Sequence, residues 1–258
     1  MSEDADLAAC AALLHRGDPE RFRAAMAAPV TLRRMLLPLY AFNLEVARAP
    51  WVTAEPLIAE MRLQWWRDAL DEIVRGGAVR RHEVVTPLAA ALDARAATEL
   101  GALVEARRAD VHGEPFASLD ALRAYLGATT GALLWTAARL AGATDEAGWR
   151  DAGRAQGAAA YLAAVPDLAA KGRAPLPGGD DAAAMRALAE DGAAALDRAR
   201  AARIGRGPAR PVLAALASVG ATLAAVRRDP AAAREAAPTF PAWRISARRA
   251  WIVATGRL

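Results

Sequence analysis

The chain has 258 residues, 55% of them apolar, and a net charge of +4 carried almost wholly by arginine, with Lys171 the single lysine. Alanine inflates the apolar count, which favours helix, while Val, Ile and aromatic residues are too sparse for a rich set of strands. The lone Cys10 excludes a disulfide framework or a cysteine metal site.

Helix signals then follow one another along the chain. The acidic "MSEDADLAAC" lacks a basic segment and a long apolar core, so no signal peptide is expected, and no apolar run reads as a membrane span. Asp18-Pro19-Glu20 supplies an N-cap, a first-turn proline and an early acid. Thr31 is expected to cap "LRRMLLPLYAFNLEVAR", interrupted by Pro38 and ended before Pro50. Thr53 is expected to cap "AEPLIAEMRLQWWRDALDEIVRGG", which stops at Gly76-Gly77. Thr86-Pro87 starts the next element, and Ser118 opens "LDALRAYLGATTGALLWTAARLAG". Residues 145–163, 180–204, 208–228 and 241–254 complete the set. No alternating strand pattern and no fixed-period repeat is visible, and the loop-like "KGRAPLPGGDD" is too short to divide the chain. The expectation is one all-α domain over residues 1–258, with 241–258 a basic amphipathic C-terminal helix.

Small residues cluster at 127–132 and again at 153–160. Glycine inside a helix costs about 1 kcal/mol against alanine, so its retention points to close backbone approach or to a narrow cavity between two helices.

Carboxylates four apart, the helical spacing for a shared cation, occur only at Asp68/Glu72 and Asp110/Glu114. Arg67 and Arg75 flank the first pair, which reads as an ion-paired face, and the second spans a helix end. His15, His82 and His112 have no ligand spacing, and no nucleophile elbow surrounds Ser2, Ser118, Ser218 or Ser246. The arginines are dispersed rather than grouped with aromatics, so nucleic acid is not an expected partner.

Two stretches are denser in chemistry. "YAFNLE" brings Tyr40, Asn43 and Glu45, and "EMRLQWWRDAL" brings Arg62, Gln64, Trp65 and Trp66. Ile58, Met61, Trp65 and Ala69 share a stripe, with Arg62 and Trp66 beside it at cation–π spacing. Adjacent tryptophans on a helix cannot face the same way, so one is expected in the core and the other at a groove or interface. In "PAWRISARRAWIVATGRL", Trp243, Ala247, Ala250 and Trp251 can share a face bordered by Arg244, Arg248 and Arg249. That suits a helix on an anionic membrane surface, or a packed last helix with a solvated basic edge.

Together "LLPLYAFNLEVAR", "EMRLQWWRDALDEI", "LRAYLGATTGALLWTAARLAG" and the stretch ending "GRAPLP" resemble the squalene/phytoene synthase family of the all-α isoprenoid synthase fold. The resemblance implies a helical bundle around a central cavity, and a magnesium cluster held by two Asp-rich motifs. Those motifs are missing here. Tyr40, Ala41 and Phe42 match the first, but Asn43 and Leu44 replace Cys and Arg, and the aspartate places fall on Ala47, Arg48 and the residues just after. Glu45 comes one turn too early. Counting back from Gly172-Arg173 puts Ala160, Ala163, Ala164 and Leu168 on the Asn, Arg and two Asp places of the second. Asp167 is one residue out of register, expected to point about 100° from the ligand face.

Within the family the "AFN-x-E" pattern and the Arg-x-Gln-Trp-Trp helix resemble the branch that includes the mitochondrial assembly factor for respiratory complex I. The resemblance implies a non-catalytic assembly or interaction protein, in the cytoplasm or peripheral on the cytoplasmic membrane. Its implied partners are a respiratory-complex subunit or other protein, an apolar or prenyl lipid, or the membrane surface. No catalytic or metal-binding residue and no cofactor is expected. Tyr40, Asn43, Glu45, Arg62, Gln64, Trp65, Trp66, Gln156 and Arg173 are the candidate recognition surface or cavity. Two alternatives stay open: an active prenyltransferase, which alone would need Mg, and a prenyl-lipid-binding protein without turnover.

Overall fold

The computed structural model describes residues 3–179 and 181–258; Met1, Ser2 and Asp180, the last at the start of the expected 180–204 helix, lie outside them. Among the described residues every regular element is a helix. In chain order these are α1 (Glu3–Gly17), α2 (Pro19–Met26), α3 (Val30–Arg48), α4 (Pro56–Arg75), α5 (Val85–Ala91), α6 (Ala94–Arg107) and α7 (Ala109–His112). There follow α8 (Leu119–Leu126), α9 (Ala132–Leu140), α10 (Glu146–Ala170), α11 (Asp181–Ala201), α12 (Val219–Arg228), α13 (Pro230–Glu235) and α14 (Ala242–Thr255). A π-helical segment, Gly127–Gly131, joins α8 to α9, and short 3₁₀ turns cover Ala49–Trp51 and Arg210–Leu216.

Local chemistry sets the boundaries. Asp18 accepts from the Arg21 amide at 2.9 Å and Ser118 from the Ala121 amide at 3.1 Å, each satisfying an orphan donor of a first turn. Gly76 closes α4 in the left-handed region at φ 69°. Two expected caps sit elsewhere. α3 begins at Val30 behind Pro29, whose carbonyl takes the Leu32 and Arg33 amides. α4 begins at Pro56, whose fixed φ and missing N–H suit a first helical position, and Thr53 instead accepts from the Glu55 amide. α10 runs on to Ala170 through Pro166, past the expected end at 163. The expected 208–228 helix breaks into the 3₁₀ turn and α12. By length and composition Arg210–Arg228 could cross a membrane, but 56% of it is buried within the fold.

One apolar core runs from Cys10 on α1 to Ile252 on α14. α10 is its axis, packed on α9, α11, α12 and the π segment, while α1, α3 and α5 form one flank and α4 and α6 another. The two clusters of small residues meet here. A β-carbon on Gly153 would lie 2.6 Å from the Gly131 Cα, and one on Gly157 3.2 Å from the Leu126 Cβ. The glycines therefore serve close backbone approach at Gly153, and one turn further on they open a cavity.

Candidate functional site

The cavity, about 620 Å³, lies between the C-terminal halves of α3 and α10, the π segment, and residues at the α6–α7 junction. From α3 it receives Asn43, Leu44, Ala47 and Arg48; from α10, Gly157, Ala160, Tyr161, Ala164, Asp167 and Leu168, with Lys171 just beyond the helix end. Ala47, Arg48, Ala160, Ala164 and Leu168, the positions that the family's aspartates and asparagine would occupy, thus face the cavity, while Ala163 is not part of its wall. Asp167 requires a correction. It does not turn away but joins the wall at an exposed position, because it follows Ala160 by nearly two full turns and so shares that face.

Three carboxylates reach the wall, and two are already engaged. Asp18 caps α2 and pairs with Arg21 at 2.6 Å. Asp110 accepts from the Tyr125 hydroxyl at 2.7 Å and from Arg107 at 3.1 Å, and Arg107 also donates to the Tyr125 oxygen at 2.5 Å. Burial holds the Tyr125 phenol far above its ordinary range, so it remains a donor at any physiological pH. Only Asp167 remains. Among the described residues no three His, Cys, Asp or Glu side chains gather as a metal site. Magnesium needs several hard oxygen ligands, whereas this wall presents Arg21, Arg48, Arg107 and Lys171. The donor set does not fit the magnesium cluster of the family's chemistry.

At the mouth Trp51 has Lys171 Nζ at 4.8 Å and the Arg173 guanidinium at 5.2 Å from its ring. Arg173 lines a small recess beside the cavity and donates to the Asp110 carbonyl at 3.4 Å. Glu45 is half-buried and outside the wall. Tyr40 is buried, its hydroxyl without a partner and its pKa pushed up to about 12 by burial. Gln156 donates to the Ala215 carbonyl at 3.1 Å and ties α10 to the 3₁₀ turn rather than lining the cavity.

The α4 candidates form a separate place. Trp66 is core, edge-on to Phe42 at 5.4 Å, and Trp65 is half-buried against it at 4.9 Å. The expected Arg62–Trp66 contact is absent among the described residues. Arg62 is exposed, and Arg80 lies over Trp65 at 4.9 Å. Gln64 donates to Asp68 and accepts from Arg108. Ile58 and Met61 are not core; with Leu57 they stand exposed on this face of α4, Leu57 at 71% and Met61 at 64%. Asp68, Asp71 and Glu72 are engaged by Gln64, Arg67 and Arg80 and stay out of the cavity.

Sequence reasoning named Arg173 but missed the Arg107–Asp110–Tyr125 triangle, and with it Trp51 and Lys171 as Arg173's companions at the mouth. Arg107 and Asp110 are a local i,i+3 pair, but Tyr125 joins them from α8 and Trp51 meets its cations from beyond α10, which no local spacing announces.

The family model described as Squalene/phytoene synthase matches residues 14–182. The chain is 31% identical over 177 residues to the Drosophila melanogaster homolog of NADH dehydrogenase (ubiquinone) complex I assembly factor 6, covering 64% of this chain and 52% of that protein. It is 26% identical over 162 residues to the Mus musculus factor, covering 61% of this chain and 48% of the relative. The chain spans about half the length of the curated relatives it matches. Its fold is shared with a squalene synthase, HpnC, from Alicyclobacillus acidocaldarius, at a TM-score of 0.73 and 18% identity over 88% of this chain and 94% of that one. A dehydrosqualene synthase in complex with ligand also gives 0.73, at 13% identity over 98% and 96%.

Proposed function

This chain belongs to the squalene/phytoene synthase family, and on that premise we propose that it works as a non-catalytic assembly or interaction factor for respiratory complex I. The observation that carries this reading is the cavity wall, where alanine, leucine and arginine stand at the family's carboxylate places. Ionising a prenyl diphosphate requires charge stabilisation of the leaving group by bound metal. Arginines can hold a diphosphate, but the wall lacks the oxygen ligands that would bring magnesium to it. The names of the relatives support complex I as the assembly concerned.

An interaction role needs a surface, and α4 supplies one. Leu57, Ile58 and Met61 stand exposed beside the polar Gln64, an apolar centre with a polar rim. We assign the protein partner to this face. A second reading, binding of an anionic or prenyl lipid without turnover, is favoured by the cavity itself, which stays open with apolar Leu44, Leu126 and Leu168 below a cationic mouth.

Deletion of the gene in its own organism, with native-gel quantification of the NADH:quinone oxidoreductase, tests the proposal. The expected result is loss of the assembled complex, restored by the wild-type chain and not by a Leu57→Asp/Met61→Asp double variant. Unchanged complex levels would overturn it.

A further inference from the structure

Charge is distributed very unevenly. Residues 198–258 hold twelve arginines against two acids, Asp229 and Glu235, in a chain whose total is only +4. The fold concentrates part of this excess in one groove of about 490 Å³ between α11, α12 and α14. Arg200, Arg228, Arg244 and Arg248 line it, no Asp or Glu side chain does, and its floor is apolar, with Leu216, Phe240, Ile245 and Ile252 among the lining residues. Arg200 is held by Asp197 at 2.7 Å and by the backbone oxygen of Leu258 at 3.1 Å. Arg228, Arg244 and Arg248 have no hydrogen-bond acceptor among the described residues. Burial, and after it the like charge of Arg200, lower the Arg248 pKa.

The same helix supplies an apolar complement. α14 is pinned by Ile252 and by Arg249, which is buried and pairs with Glu20 at 2.6 Å. Its outer face carries Trp243, Ala247, Ala250, Trp251 and Ala254, which fall along one side at helical spacing. The tryptophans stand 68% and 49% exposed. Arg244 and Arg248 run along the border between that face and the groove, and the Arg244 guanidinium lies 5.3 Å from the Trp243 ring.

We propose that this end of the molecule is a docking site for an anionic phospholipid surface, with the outer face of α14 seated at the headgroup level and Arg228, Arg244 and Arg248 gripping lipid phosphates. Tryptophan prefers the membrane interface, because its ring is apolar and its N–H polar. Arginines bordering an apolar face keep their heads in the phosphate layer while their stems cover hydrocarbon. An acidic protein or a nucleic acid would use the arginines but would leave the apolar groove floor and the alanine stripe without a role. The site lies on elements other than the cavity wall, and it stands whether or not the assembly role does.

Co-sedimentation of the full chain with phosphatidylcholine vesicles, and with vesicles of phosphatidylcholine and phosphatidylglycerol, tests the site. Binding is expected only to the mixed vesicles and is expected to fall steeply with salt. Each Arg→Gln change at 228, 244 or 248 should weaken it about fivefold, and the triple variant on the order of a hundredfold. Trp243→Ala/Trp251→Ala should weaken it about tenfold or more, while the exposed control Arg95→Gln, on α6, leaves it unchanged. These positions lie at the surface, so far-ultraviolet circular dichroism of each variant is expected to match the wild type. Binding to neither vesicle, equal binding to both, retention of affinity in the triple variant, or preference for a nucleic acid competitor would overturn the proposal.

Discussion

At the scale of single residues, three of the carboxylates that a sequence search offers for metal chemistry are already engaged, Asp68 by Gln64, Glu72 by Arg80 and Asp110 by Arg107. Glu72 is the clearest. Arg80 donates to its two oxygens at 2.6 and 3.1 Å and adds its backbone amide at 3.0 Å, and these bonds lower the Glu72 pKa to about 2. A carboxyl whose pKa falls on folding stabilises the native state fully above its unfolded value, and that contribution is lost as pH drops through the folded one. The thermal midpoint of Glu72→Gln is therefore expected below that of the wild type at pH 7, with the gap closing between pH 4.5 and 2. A gap that persists unchanged to pH 2 would show that Glu72 acts by packing and not by charge. Residue identity made part of this legible: the Asp68/Glu72 face read as ion-paired, and Glu72 is, but its partner is Arg80 from beyond the helix, while the flanking Arg67 holds Asp71 and Asp68 goes to Gln64. Asp167 did not read correctly, because its place was judged from a single neighbouring position instead of from the whole face that it shares with Ala160.

At the scale of elements, the contact between α10 and the π segment decides the shape of the interior. Gly153 allows the two backbones to touch, and an alanine there would need the Gly131 backbone to move, since its β-carbon would come within 2.6 Å of Cα and 3.1 Å of the carbonyl oxygen. Gly153→Ala should cost about 1–3 kcal/mol, with a fall in thermal midpoint of roughly 2–4 °C per kcal/mol. Gly127→Ala, whose added methyl meets nothing within 4 Å, should change little. Equal effects at the two positions would contradict the close approach. Here the small-residue clusters announced the contact but not its partner, since two glycine-rich stretches carry no label saying that they face each other. Boundaries followed the same division. Asp18, Ser118 and Gly76 read correctly because a cap is local chemistry, whereas the starts of α3 and α4 went to prolines beside the expected threonines.

At the scale of the whole molecule, the family's bundle persists with a cavity, and Ala47, Arg48, Ala164 and Leu168 line it where the resemblance puts carboxylates. The all-α architecture and the positions of the missing aspartates were legible, because motif spacing fixes which helix faces turn inward. What fills the cavity mouth was not. The Arg107–Asp110–Tyr125 triangle draws on α6, α7 and α8, and the cations beside Trp51 come from the segment after α10, more than a hundred residues along the chain. Likewise the exposed apolar face of α4 could be told from core only once Leu63, Trp66 and Ile73 were seen to take the buried side. The central claim is that this cavity performs no prenyl transfer, and it is tested most directly by incubating the purified chain with farnesyl or geranylgeranyl diphosphate, magnesium and NADPH and measuring pyrophosphate. No release above the protein-free control is the predicted result. Release accompanied by a head-to-head prenyl product would contradict the account and would show that Asp167 and the remaining wall residues can hold metal after all.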